Sequence, residues 1–232
     1  MTSIGANLQG VRARIAAACA ACGRGQSEVA LLAVSKTWPA ACVADAAGAG
    51  QRAFGENYVQ EGVAKVQALG ALSLAWHFIG PLQSNKTRLV ANHFDWVHSV
   101  DRLRIAERLA SQRDPHLPPL NICLQVNVSG EASKSGAAPE EIPSLARQVA
   151  GLPQITLRGL MAIPEPSPDR TLLAARFAVV RHLREALEAD GIALDTLSMG
   201  MSDDLEVAIA EGATIVRVGT AIFGARGASQ SP

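Results

Sequence analysis

The chain has 232 residues, of which 48% are hydrophobic and 18% charged, so it can bury one sizeable core. Its 21 Lys and Arg residues balance its 21 Asp and Glu residues, so no net field attracts nucleic acid or an anionic membrane. We therefore expect residues 1–232 to form a single domain, with a core from about residue 7 to residue 225, that binds a small molecule.

Neither a secretory leader nor a membrane span is visible, because the first ten residues are polar and no apolar run is long enough to cross a bilayer. Cys19 and Cys22 lie three positions apart in an Ala-rich helical stretch, without the further Cys or His ligands of a zinc site. We interpret both as small buried hydrophobic residues, expect no metal, and place the chain in the reducing cytoplasm.

The first predicted element is a helix from about Asn7 to Cys22. After it, short β-branched runs alternate with amphipathic stretches, and most of these runs are nearly all apolar, as strands buried on both faces must be. The eight runs are VALLAVSKT, QRAFGEN, WHFIGP, WVHSVD, LNICLQVNVS, LRGLMAIP, TLSMGMS and TIVRVGTAIFG.

Helices are predicted between these runs. Pro39, Pro81 and Pro139 each suit the first turn of a helix, and Asp101 is a good N-cap residue. Eight βα repeats predict an α/β (β/α)8 TIM barrel with an extra N-terminal helix, and an open doubly wound sheet is the alternative.

Chemistry in such a barrel lies at the carboxyl ends of the strands, and Lys36 closes the first apolar strand there. Desolvation at that position favours the neutral amine, which is a nucleophile. From position alone, a lysine that reaches the surface or pairs with a carboxylate is an equally good explanation.

The ends of the last two strands predict a phosphate site. In MGMSDDLEVAIAEG, Ser202 can cap a helix and face a phosphate, while Gly219 and Thr220 leave the backbone open after the last strand. Asp203 and Asp204 would repel a phosphate, so we expect them to point outward. A simple helix cap without a phosphate is the alternative.

Three further polar residues lie near strand ends. Arg217 interrupts an apolar run and must find an acceptor inside the barrel, either a ligand or a core carboxylate such as Glu56. Asn57 and His77 are weaker candidates, because each is also explained as a core polar group with its hydrogen bonds satisfied.

The motifs LLAVSKT, FGENYVQE, WHFIGPLQSNK, SKSG, RGLMAI, LSMGMSDD and VRVGTAIFG occur in an order that resembles the pyridoxal phosphate homeostasis proteins, single-domain relatives of the alanine racemase barrel. The resemblance runs from about Leu8 to Ala225. It implies that Lys36 holds pyridoxal 5'-phosphate (PLP) as a Schiff base, that Ser202, Gly219 and Thr220 bind its phosphate, that Arg217 faces its pyridine nitrogen, and that Asn57 and His77 line the pocket.

The resemblance also implies a carrier. An Arg at the ring nitrogen keeps that nitrogen unprotonated and discourages carbanion chemistry. Racemases of this fold add a Tyr base from a second domain, whereas the one tyrosine here is Tyr58. We therefore expect a monomeric, non-catalytic protein that buffers PLP in vitamin B6 homeostasis and supplies apo PLP-dependent enzymes.

Two alternatives remain open. One is a small PLP-dependent amino-acid racemase or aldolase with His77 or Tyr58 as base. The other is a barrel for another phosphorylated metabolite, with Lys36 as a point charge. Trp38 is expected at the barrel rim, and Lys134, in the SKSG loop, is either a second amine for transient cofactor capture or an ordinary solvated lysine.

Overall fold

The structure is a computed structural model that describes residues 3–130 and 135–224. Within these ranges the chain forms eight parallel strands that close into a barrel in the order of the sequence, with β8 beside β1. This confirms the predicted TIM barrel over the open sheet. The strands are β1 (Ala30–Val34), β2 (Ala53–Glu56), β3 (Ala75–Phe78), β4 (Trp96–Val100), β5 (Leu120–Val126), β6 (Ile155–Ala162), β7 (Thr196–Ser198) and β8 (Ile215–Val218).

Helices connect successive strands and cover the outside of the barrel. They are α1 (Ile4–Ala21), α2 (Ala40–Gly48), α3 (Val59–Ala68), α4 (Thr87–His93), α5 (Leu103–Gln112), α6 (Ile142–Ala150), α7 (Arg170–Ala189), α8 (Leu205–Ala210) and α9 (Thr220–Phe223). The extra helix α1 packs against α2, α8 and α9. None of the helices in the ranges given above is both long and apolar enough to cross a membrane.

The main core lies between the strands and the helices that surround them. Phe54, Phe78, Phe94 and Phe177 are among its largest fully buried side chains. A smaller apolar cluster forms around Leu32 on the opposite face of the strands, inside the barrel. Because strand residues alternate between these two faces, every second residue of a strand points into the barrel, and polar residues on that face must find partners across it.

Local sequence signals account for several helix starts. Ser3 caps α1, and its hydroxyl accepts a hydrogen bond from the Ala6 N–H at 3.2 Å. Pro39 directly precedes α2, and Pro139 begins a short 3-10 helix that leads into α6, as its position predicts. The helix α1 begins at Ile4, slightly earlier than the predicted start.

Three local predictions are wrong. The segment that follows Pro81 is an irregular loop, and α4 begins only at Thr87. Asp101 does not cap α5: the N-cap residue is Arg102, whose guanidinium instead pairs with the Asp101 carboxylate at 2.7 Å. Cys19 is buried, but Cys22 is exposed at the end of α1, where the helix leaves the core.

Candidate functional site

A cavity of about 250 Å³ opens at the carboxyl ends of the strands. Its lining includes six of the seven predicted cofactor-binding residues, which are Lys36, Asn57, Ser202, Arg217, Gly219 and Thr220. These side chains come from the ends of β1, β2, β7 and β8, which meet at one end of a closed parallel barrel. The cavity is near the small end of the range for ligand pockets, roughly 300–1,000 Å³, and suits a single-ring ligand.

Lys36 lies two positions after the last residue of β1 and is half-buried in the cavity wall. It is therefore less enclosed than the sequence suggested. Its neighbours are held more tightly: Ser35 is completely buried, and Thr37 has the left-handed φ of 66°, which is uncommon for a residue other than glycine. The backbone of this turn, rather than burial of the amine, therefore fixes the position from which the Lys36 side chain extends.

Arg217 is buried inside the barrel and does not pair with Glu56. Its Nη1 donates to the Ser198 hydroxyl at 2.8 Å and to the Ser198 carbonyl, and its Nη2 donates to the Ala162 carbonyl at 2.8 Å. Burial lowers the pKa of Arg217 to about 10, so it remains a cation at neutral pH. One N–H on Nε and one on Nη2 have no acceptor in the part of the chain that the structure describes, and are available to a ligand in the cavity.

His77 does not belong to the lining of this cavity. Its ring stacks on Trp96 with centroids 5.3 Å apart, and its Nδ1 lies 2.9 Å from Nε2 of His98. Nδ1 of His98 in turn lies 2.8 Å from the Ser198 hydroxyl. Because β4 and β7 are not neighbours in the barrel, the bond from His98 to Ser198 must cross its interior. The expectation that His77 lines the pocket is therefore replaced by a role in an interior network.

One arrangement of hydrogen bonds satisfies every member of this network, and it starts from Arg217, which can only donate. Ser198 accepts from Arg217, so its hydroxyl hydrogen is free to donate to His98. His98 then carries its proton on Nε2 and donates to Nδ1 of His77. Burial lowers the pKa of His77 to about 3 and that of His98 well below its usual range, so both rings are neutral.

The predicted phosphate region is only partly as expected. Ser202 lines the cavity but does not cap a helix, because α8 begins at Leu205. Asp204 is turned inward, contrary to expectation, and its carboxylate accepts a hydrogen bond from the Met201 N–H at 2.5 Å. Asp203 is exposed but still contributes to the lining, so one carboxylate lies at this edge of the cavity.

Two glycines hold backbone segments close together around the cavity. A Cβ on Gly219 would lie 3.0 Å from the Val34 carbonyl oxygen, and a Cβ on Gly80 would lie 2.2 Å from the Asn57 carbonyl oxygen. The Asn57 side chain also presents a buried Oδ1 atom that has no hydrogen-bond partner among residues 3–130 and 135–224. A buried amide oxygen of this kind needs a partner, which a polar ligand in the cavity can supply.

Trp38 packs near the rim, as expected. Its ring stacks on Phe223 with centroids 6.0 Å apart, and it lines a hollow of about 60 Å³ together with Lys36 and Thr37. Lys134 lies outside the described residues.

Sequence reasoning missed His98 and the side chains of α3 that contact the Lys36 turn. The signal for His98 was present, because Trp96 and His98 are two positions apart on β4 and therefore share the inner face.

Comparisons with known proteins agree with this architecture. The sequence model described as "Alanine racemase, N-terminal domain" matches residues 6–227. A pyridoxal phosphate homeostasis protein of Pseudomonas aeruginosa is 62% identical over 226 residues, covering 97% of each chain. One from Escherichia coli is 57% identical over 232 residues, covering 97% of this chain and 98% of the relative.

Solved structures extend the likeness. PipY of Synechococcus elongatus, solved with PLP bound, has a TM-score of 0.84 and 40% identity, covering 96% of this chain and 100% of that chain. The alanine racemase of Corynebacterium glutamicum has a TM-score of 0.68 at 15% identity, covering 95% of this chain and 64% of that chain. The second likeness concerns the fold alone, and it confirms the predicted alanine-racemase-like barrel.

Proposed function

We propose, from the premise that this chain belongs to the pyridoxal phosphate homeostasis proteins, that it binds PLP as a Schiff base on Lys36 and buffers or supplies the cofactor in intracellular vitamin B6 homeostasis. The observation that carries the proposal is that Lys36, Arg217 and the Ser202, Gly219 and Thr220 segments line one cavity together. A primary amine, a buried cation and two hydroxyl groups are the side chains that an aldehyde, a ring nitrogen and a phosphate require.

The residues present fit this cofactor. Asn57 offers a buried amide oxygen without a partner, and Arg217 offers N–H groups without acceptors among the described residues. Gly219 has no side chain to cover its backbone beside Thr220, and a Cβ there would press on the Val34 carbonyl oxygen at 3.0 Å. When bound, PLP supplies an aldehyde carbon with which a neutral primary amine condenses, with release of water.

Each residue then has a defined task. Lys36 presents the amine from the half-buried end of β1, and the hydroxyl groups of Ser202 and Thr220 bind the phosphate. Arg217 donates to the ring nitrogen and cannot give it a proton at neutral pH, because the buried guanidinium is held as a cation by three hydrogen bonds. The ring therefore remains a weak electron sink, which suits storage better than turnover.

We further propose that the protein is a carrier rather than a racemase or aldolase. The ionisable residues in the cavity lining are Lys36, Arg217 and Asp203. The bases required by the enzymatic alternative lie elsewhere: the side chain of Tyr58 is 55% exposed, and His77 is hydrogen-bonded to His98 inside the barrel. A cytoplasmic monomer that delivers PLP to apo enzymes is the corresponding cellular role, and its four free cysteines are compatible with a reducing compartment.

The proposal is tested by the absorbance spectrum of the purified protein and of Lys36→Ala, with Lys86→Ala as a control lysine that is outside the cavity lining. We expect a band in the Schiff-base region for the parent protein and the control and none for Lys36→Ala. Borohydride reduction followed by peptide mass spectrometry should find the adduct on Lys36. A spectrum unchanged by Lys36→Ala contradicts the site, and robust turnover of amino acids by the pure protein contradicts the carrier role.

A further inference from the structure

The turn that carries Lys36 is held on both sides by one group of charged residues from β2 and α3, of which two are buried and Glu61 is partly exposed. These residues are Glu56, Glu61 and Lys65, which we call the turn clamp. None of them appears in the lining of the cavity, so they do not act on a ligand directly. Their hydrogen bonds go instead to the residues immediately before and after Lys36.

On the N-terminal side, the clamp holds Ser35. The Ser35 hydroxyl donates to Oε1 of Glu56 at 2.6 Å, and the Ser35 carbonyl oxygen accepts from Nζ of Lys65 at 2.7 Å. Ser35 and Glu56 are both completely buried, and only 5% of Lys65 is exposed. Both the side chain and the backbone of the residue before Lys36 are therefore tied to the clamp.

On the C-terminal side, the clamp holds Thr37. The Thr37 N–H donates to Oε1 of Glu61 at 2.5 Å, and the same oxygen accepts from Nζ of Lys65 at 2.7 Å. Thr37 has the left-handed φ of 66°, a conformation that a β-branched residue keeps only when its surroundings enforce it. The bond to Glu61 is a contact that can enforce it.

Lys65 is the centre of the clamp. Its ammonium group lies 2.7 Å from Glu56, from Glu61 and from the Ser35 carbonyl oxygen, so its three N–H donors each have an acceptor. Burial raises the pKa of Glu56, and the nearby Lys65 charge is the main opposing influence. Burying a carboxylate and an ammonium group costs desolvation free energy. A role in fixing the local geometry explains why both charges are present here.

We propose that Glu56, Glu61 and Lys65 are positioning residues that fix the backbone at Ser35 and Thr37 and thereby direct the Lys36 amine into the cavity. This inference rests on the proposed function, because it assigns the clamp to the amine that holds PLP. It gives the two lysines at this turn different roles: the half-buried Lys36 reacts, whereas the buried Lys65 serves only to hold the turn. Small displacements of a reacting group reduce its effectiveness strongly, so the clamp should influence cofactor affinity.

The test uses Glu61, because removal of Lys65 leaves two carboxylates without their cation and endangers folding. Glu61→Ala removes the acceptor of the Thr37 N–H, whereas Glu61→Gln keeps an acceptor without the charge. Glu185→Ala is the matched control: Glu185 also pairs with a cation four residues away in a helix, Arg181 at 3.1 Å, but has no contact with the Lys36 turn.

Two measurements are made on full-length protein. Amide hydrogen exchange at Thr37 is followed without cofactor, and PLP affinity is measured by absorbance titration. For Glu61→Ala we expect exchange at Thr37 to accelerate and the dissociation constant for PLP to rise about tenfold, as for loss of one charge-assisted hydrogen bond. Glu61→Gln should stay within about threefold of the parent protein, and Glu185→Ala should match it.

Parent-like exchange at Thr37 or parent-like PLP affinity in Glu61→Ala overturns the inference, as does an equal effect of Glu185→Ala. The outcome is distinct from failure of the proposed function. If the parent protein forms no adduct on Lys36, the proposed function fails, and the exchange rate of the Thr37 amide still decides whether Glu61 holds the turn.

Discussion

Acidification should destabilise this protein well before its carboxylates titrate, because two neutral histidines are buried in the barrel. The usual pKa of His77, 6.5, is lowered to about 3 by burial, and that of His98 is lowered mainly by burial and further by its proximity to His77 and to the Arg217 cation. At pH values between the ordinary and the lowered pKa, the unfolded chain therefore binds protons at these two residues, whereas the folded chain does not.

The sign and size of the change in the free energy of unfolding follow from this difference in proton binding. Stability contributed by a neutral buried histidine is complete above a pH of about 6.5 and is lost as the pH falls towards the folded-state value. At about pH 5, roughly 1.5 units below the ordinary pKa of 6.5, His77 alone accounts for a loss of about 2 kcal/mol, because each unit corresponds to about 1.36 kcal/mol. His98 adds a loss of the same sign.

The assay is urea unfolding at about pH 7, 6 and 5, compared between the parent protein, His77→Gln and His116→Gln. Glutamine at position 77 can still accept a hydrogen bond from His98, but it does not titrate. His77→Gln should therefore lose about 2 kcal/mol less than the parent protein over this range. His116 is exposed, so His116→Gln should lose as much as the parent. A parent protein with constant stability from pH 7 to 5, or identical slopes for both variants, would refute the reasoning.

Two further substitutions probe the backbone and the core. Gly80→Ala places a Cβ 2.2 Å from the Asn57 carbonyl oxygen, so PLP affinity measured by absorbance should fall about tenfold, whereas Gly70→Ala, which meets nothing within 4 Å, should bind as the parent does. Phe177→Ala empties a fully buried position on α7, so chemical denaturation should show a loss of about 3–5 kcal/mol while the cofactor spectrum persists.

The barrel was predictable because its signal is repeated along the whole chain. Each strand is a short apolar run, and each run is followed by a helix, so one misjudged segment does not change the topology. Pro81 illustrates the limit: proline suits a first helical turn, but the loop after β3 continues to Lys86 before α4 begins. Local preference is compatible with both structures, and the packing of the loop decides between them.

The residues at the mouth of the barrel were also predictable, because parallel strands bring their carboxyl ends together whatever the details of packing. This reasoning correctly joined Lys36 to Arg217, although they are far apart in the sequence. It could not foresee the partner of a buried polar residue. The family resemblance implied that His77 lines the pocket, yet its position on the inner face of β3 directs it towards His98.

The contacts of the turn clamp around Lys36 could not be predicted from the sequence either. Lys65 lies on an amphipathic helix, where a lysine usually faces solvent, and Glu61 four residues earlier suggests an ordinary surface ion pair. Only the position of α3 against the end of β1 reveals that Lys65 is turned inward and reaches the Ser35 backbone. Such a contact depends on tertiary geometry and leaves no pattern in the sequence.

The interior network also connects the acid sensitivity of the barrel to the cavity. Arg217 donates to Ser198, which leaves the Ser198 hydroxyl hydrogen for His98 and the Nε2 hydrogen of His98 for His77. A proton added to His98 would make its Nδ1 a donor to Ser198 and place a second cation near Arg217, so the repulsion between the two cations opposes protonation of this ring. The histidines that cost stability in acid are therefore connected, through Ser198, to the proposed donor to the pyridine nitrogen.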